Sequence, residues 1–153
     1  SAAWASSALS EAAHDGRRAA FANAYPVAGR VKDFHPKDYP ADEPMVPHGM
    51  SVALTAPEAF RFTFDADPDR HIEAARMLDP RAEMTNDPRD LLPSILAGLM
   101  RDIGLPNGIG AVGYDGSDVG DLVDGAMKQQ RLLATAPKDV SAEDVAGIFE
   151  QFG

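Results

Sequence analysis

Between Asp87-Pro88 and Gly104 the chain sets Leu91, Leu92, Ile95, Leu96, Leu99, Met100 and Ile103 at a spacing that only a helix gathers onto one face. Asp87 with Pro88 supplies a cap and a first-turn proline, and Gly104 supplies a stop. The same grammar recurs. Asp67-Pro68 opens a helix carrying Ile72, Ala75 and Leu78 and ended by Pro80. Ser117 or Asp118 opens another through Val119, Leu122, Val123, Ala126 and Met127, and Ser141 with Asp144 has capping-box spacing ahead of Val145, Ile148, Phe149 and Phe152. His48 to Phe64 has helical spacing at Val52, Leu54, Ala59, Phe60 and Phe62, with Pro57 expected to kink or divide it. Ala2 to about Asn23 reads as a helix lined by Trp4, Leu9, Ala12, Ala13, Ala20 and Phe21, which Tyr25-Pro26 and Gly29 interrupt. The proline-rich stretch from Arg30 to Val46 has no period and reads as a long surface loop. No alternating pattern of a β-strand occurs. The expected fold is an all-α helical bundle forming a single domain over residues 1–153.

Composition narrows the function. With 24 acidic against 14 basic side chains the net charge is −10, and such a surface repels a phosphate backbone, so nucleic acid is not an expected partner. The apolar runs are too short to span a bilayer, so no membrane role is expected. Cysteine is absent, which removes disulfides and thiolate metal sites and fits a cytoplasmic location. Any metal would need His, Asp or Glu. The amino terminus lacks an initiator Met and a secretory profile, and reads as cut from something longer.

Several motifs carry chemistry on paper. Pro47-His48-Gly49 places an imidazole at the start of an apolar helix, where it either caps the helix or faces a cleft as a metal ligand. Gly108-Ile109-Gly110-Ala111-Val112-Gly113 matches the dinucleotide fingerprint letter for letter, but that fingerprint must follow a strand and open a helix. Here it follows an amphipathic helix and Pro106-Asn107, and reads as a turn between helices. His35 and His71 are expected at the surface, and Asp65, Asp67, Asp42 and Glu43 as loop charges. Neither a Gly-x-Ser-x-Gly elbow nor a His-Glu-x-x-His helix is present, so hydrolase chemistry has little support.

The run Pro44-Met45-Val46-Pro47-His48-Gly49-Met50-Ser51-Val52-Ala53-Leu54 resembles a ligand-bearing segment of the iron-containing, group III alcohol dehydrogenases. Thr55-Ala56-Pro57-Glu58-Ala59-Phe60-Arg61-Phe62-Thr63, Asp69-Arg70-His71 and Gly110-Ala111-Val112-Gly113-Tyr114 are similar to the hydroxyacid-oxoacid transhydrogenase branch of that family, and the resemblance runs from about Tyr25 to Phe152. It implies the family's helical carboxy-terminal domain, whose inner face holds a divalent metal, iron or zinc, opposite a nicotinamide cofactor, NAD(P). It further implies an N-terminal nucleotide-binding half as partner, a small alcohol or hydroxy acid as substrate, and oxidoreductase activity for the whole; homo-oligomer formation stays open. Within this chain it assigns His48 to the metal, Tyr25 to the cofactor side and Arg131, in Lys128-Gln129-Gln130-Arg131-Leu132-Leu133, to a substrate carboxylate. Tyr25 as an aromatic packed at a helix end, and Arg131 as a solvated or capping residue, remain the plain alternatives.

One departure stands out. The family carries a metal-binding histidine four residues before the position of Tyr25, and here that position is Phe21, which cannot ligate a metal. His14 lies two helical turns earlier, about 10 Å of rise away, too far to substitute. Because phosphate cradling and most metal ligands would lie outside it, the isolated chain is expected to be inactive; the competing expectation, which Phe21 favours, is a non-catalytic, stand-alone helical binding or interaction domain with a degenerate metal site.

Overall fold

The structure, a computed structural model, describes residues 22–37, 39 and 42–151. Phe21, His14 and Phe152, and nearly all of the helix expected from Ala2, lie outside the described residues. Seven α-helices occur among the described residues: α1 (22–29), α2 (His48–Thr63), α3 (Pro68–Leu78), α4 (Leu91–Asp102), α5 (Val119–Met127), α6 (Gln130–Leu133) and α7 (Ala142–Phe149). Short 3₁₀ turns join them, and no strand is present among these residues.

Local chemistry sets most of the helix ends. The Asp67 carboxylate accepts the Arg70 N–H at the start of α3, and Asp87 accepts the Arg89 N–H in the turn that leads into α4. Ser141 and Asp144 form a reciprocal capping box on α7. At the far end of α4, Gly104 adopts φ +74, the Leu105 N–H reaches the Met100 carbonyl at 2.8 Å and the Gly104 N–H reaches Arg101 at 3.1 Å. That is the paired pattern of a Schellman stop, which an L side chain at position 104 would strain. Asp118 is the N-cap position of α5, as expected, but makes no side-chain cap bond to it; the side-chain capping lies one turn earlier, where Asp115 forms a capping box with Asp118 around the 3₁₀ turn Gly116–Asp118.

Helix α2 is the spine. It packs on α4 and α7, while α3 packs on α4 and α5 on α7. One core cluster joins Val27, Val46, Leu54, Ile109, Val112, Tyr114, Leu122, Ala126, Val145 and Phe149. A second gathers Ala74, Ala75, Leu91 and Leu92, with Phe60, Ile72, Ile95 and Leu96 against it. Leu54 belongs to the first cluster and Phe60 to the second, so α2 ties the two together.

Three expectations need correction. Pro57 does not divide α2, which runs unbroken for 16 residues; its ring is buried, so packing offsets the missing N–H. Tyr25-Pro26 does not interrupt α1, which continues to Gly29, with the Arg30 N–H bonded to the Pro26 carbonyl at 3.1 Å. The Pro26 ring lies against Gly125 of α5, so close that a Cβ on Gly125 would sit 2.6 Å from Pro26 Cβ. Tertiary packing here overrides the local breaker. Finally, Leu78, Leu99 and Ile103, expected on buried faces, are exposed at the carboxyl ends of α3 and α4.

Candidate functional site

The residues that matter most sit where α1 meets the start of α2. Two non-local contacts fix α1: the Pro26–Gly125 packing and a hydrogen bond from the buried Tyr114 hydroxyl to the Val27 carbonyl at 2.6 Å. Burial raises the Tyr114 pKa from 10.0 to about 12. Beyond α1, Lys32 bonds Asp118 at 2.8 Å and Arg30 pairs with Asp121, which clamps the following loop to the α5 end. The Lys32 bond raises the ammonium's pKa and lowers that of Asp118, while Asp115 is lowered chiefly by its Ser117 partners.

Held this way, Tyr25 projects from α1 to the surface and meets His48, with ring centroids 5.4 Å apart and planes tilted by 54°. His48 opens α2 behind Pro47, which provides no side-chain cap, and no acidic residue stands in the first turn. The Ser51 hydroxyl donates to the His48 carbonyl at 2.8 Å, which fixes the backbone beneath the imidazole. The structure thus brings two of the three sequence-nominated residues together. Arg131 stands exposed on α6, and among the described residues its guanidinium makes no hydrogen bond or ion pair with either of them.

A resident divalent metal needs three or more protein donors. Among the described residues no group of three or more His, Asp or Glu side chains is placed to hold one, with or without His48. The described residues do not fit the metal. They do not fit a dinucleotide fingerprint either: Gly108 at φ +75 and Gly113 at φ +94 bracket a 3₁₀ turn whose Ile109 and Val112 are core residues. The Tyr114 N–H to Ile109 and Gly113 N–H to Gly110 bonds close that turn as a second Schellman motif, so its glycines serve a tight reversal.

His71 is the clearest error of the sequence reading. Expected at the surface, it is only 3% exposed. Its Nδ1 lies 2.8 Å from the Asp67 carbonyl, which can only accept, so Nδ1 carries a proton. Nε2 lies 3.2 Å from the Thr63 hydroxyl, and the Phe60 and Phe64 rings meet the imidazole in steeply inclined, T-shaped contacts. The signal was available: His71 falls with Ala74 and Ala75 on an i, i+3, i+4 face. Tyr114 was passed over as a residue with a task, and its partner 87 positions away leaves no local signature.

Residues 43–152 match the model of the Fe-containing alcohol dehydrogenase family, C-terminal domain. The chain belongs to that family. Its all-α bundle is the family's C-terminal fold, seen also in an alcohol dehydrogenase from Oenococcus oeni (TM-score 0.67, 26% identity, 88% of this chain and 32% of that one). A 1,3-propanediol oxidoreductase shares the fold at TM-score 0.68 and 21% identity, over 88% of this chain and 32% of its own. Among relatives, the mitochondrial hydroxyacid-oxoacid transhydrogenase of Bos taurus is 40% identical over 128 residues, which is 82% of this chain and 28% of the relative. That of Homo sapiens is 41% identical over 82% of this chain and 27% of its own length. The probable mitochondrial enzyme of Dictyostelium discoideum is 33% identical over 90% of this chain and 26% of its own. The chain therefore spans under a third of the length of these family members. Their names also overturn the cytoplasmic expectation, since all three are mitochondrial. A cysteine-free surface is indifferent to redox compartment and could not have decided the matter. Among the described residues, no helix is long and apolar enough to cross a membrane.

Proposed function

We propose that this chain is a helical binding domain of the iron-containing alcohol dehydrogenase fold with a degenerate metal site, and that on its own it does not oxidise alcohols or hydroxy acids. The observation that carries the reading is that the described residues hold no cluster of three or more His, Asp or Glu side chains able to bind a metal. Phe21, at the position where the family resemblance calls for a histidine, supports it from the sequence side.

A second reading is favoured by the 40–41% identity to hydroxyacid-oxoacid transhydrogenases. In it, a nucleotide-binding half completes the cleft of an NAD(P)-linked oxidoreductase acting on a small alcohol or hydroxy acid. This domain then supplies a helical wall: His48 one imidazole donor, Tyr25 an aromatic surface on the nicotinamide side, and Arg131 a guanidinium for a substrate carboxylate. The pair's exposure suits such a role, because a wall residue must be reachable from the facing half.

Reconstitution separates the two. The chain is assayed for nicotinamide reduction with a hydroxy acid and zinc or iron(II), alone and mixed with a separately produced nucleotide-binding half of a relative. The proposal expects no turnover in either sample. Turnover by the chain alone sinks it, and turnover only in the mixture, lost with His48→Ala, establishes the second reading.

A further inference from the structure

The turn that leaves α4 carries chemistry unrelated to the Tyr25–His48 face. Asn107-Gly108 is the chain's one asparagine followed by glycine; Asn23 precedes Ala24 and Asn86 precedes Asp87. Both residues line a cavity of about 500 Å³ between α2, α4 and the end of α7, with Glu58, Arg61, Ser94 and Glu150 around it. Asn107 is half-buried, and its side-chain amide enters no hydrogen bond among the described residues. The Gly108 N–H likewise has no partner there, although its neighbours in the turn are well bonded. Gly108 is itself buried and meets solvent only at the cavity it lines; it has no Cβ beside its nitrogen, and its φ of +75 disfavours any residue that has one.

We propose that Asn107-Gly108 is a self-modification site, at which the folded chain deamidates and isomerises. The Gly108 nitrogen gives its proton to a hydroxide or buffer base admitted by that cavity and attacks Asn107 Cγ. A C–N bond forms, the bond from Cγ to the side-chain nitrogen breaks, and ammonia leaves behind a cyclic imide. Water adds to one of the two imide carbonyls and breaks a ring C–N bond, giving aspartate or isoaspartate. One water is consumed, one ammonia is released and nothing is oxidised. The free amide, the unbonded nitrogen and an open cavity for the hydrolytic water are the three things the step requires. Asn23 is buried within α1, away from hydrolytic water, and both Asn23 and Asn86 are followed by a residue with a Cβ. The product adds a carboxylate to a pocket that already holds Glu58 and Glu150, with Arg61 the cation beside it.

The test incubates the full chain under folding conditions in mildly alkaline buffer and follows it by native charge separation and peptide mapping. The expected result is one added negative charge per chain, mapped to residue 107 as isoaspartate and aspartate, with Asn23 and Asn86 intact. Asn107→Gln, which keeps the amide but disfavours the ring closure, abolishes the charge variant. The proposal is overturned if the folded chain keeps Asn107 as an amide over a period in which the urea-denatured chain loses it, or if Asn86 reacts first.

Discussion

Replacing Tyr114 by Phe removes one oxygen atom from the contact that holds α1 in place. The ring stays, so the 5% exposed site keeps its apolar packing and loses only the 2.6 Å bond to the Val27 carbonyl. A buried carbonyl deprived of its donor costs about 1–3 kcal/mol, the expected loss at neutral pH. The pH dependence is more diagnostic. In the fold the phenol's pKa is raised from 10.0 to about 12, because burial disfavours the phenolate. A raised pKa means that the stability it represents is complete below pH 10 and disappears as pH climbs to about 12. Two pKa units correspond to about 3 kcal/mol. Urea unfolding of both chains from neutral to strongly alkaline pH measures this, and the Lys32–Asp118 bond, also lost at high pH, is common to both and cancels. The native chain starts more stable, and its advantage shrinks and reverses above pH 10. Parallel curves across that range would refute the assignment of Tyr114 as a buried anchor.

Two further substitutions probe the frame around the candidate site. Ser141→Ala removes the α7 capping box and is expected to cost about 1 kcal/mol by urea unfolding. Asp144's pKa is lowered mainly by the Ser141 hydroxyl, so that stability is present above the unfolded carboxylate's pKa and lost as pH falls through the folded one. The variant therefore shows a flatter acid limb. Gly125→Ala drives a methyl to 2.6 Å from Pro26 Cβ and should destabilise by about 1–3 kcal/mol. Because Tyr25 adjoins Pro26, the Tyr25–His48 ring contact should weaken in nuclear Overhauser spectra. An alanine chain as stable as the native one, with the contact intact, would show that the approach of α1 to α5 is not tight.

What was legible in the sequence was local. Asp67, Asp87, Ser141 and Gly104 act within a few residues of themselves, and each caps or stops a helix as expected. The Gly108–Gly113 run could be set aside because its context was also local. What was missed depended on distant partners. Pro26 sits inside α1 because Gly125, far along the chain, leaves room for its ring. Tyr114 and His71 are buried by elements whose arrival no short window reports. Tyr25 and His48, far apart in the sequence, meet in space, a pairing that no short window reports, whereas Arg131 lies on α6.

Cobalt(II) titration of the folded chain, followed by calorimetry and visible absorption, tests the central claim that the Tyr25–His48 face is an incomplete metal site. The account predicts weak binding without saturation at one ion per chain, no intense tetrahedral d–d bands, and no change in His48→Ala. A tight one-to-one site with a four-coordinate spectrum, abolished in His48→Ala, would contradict it.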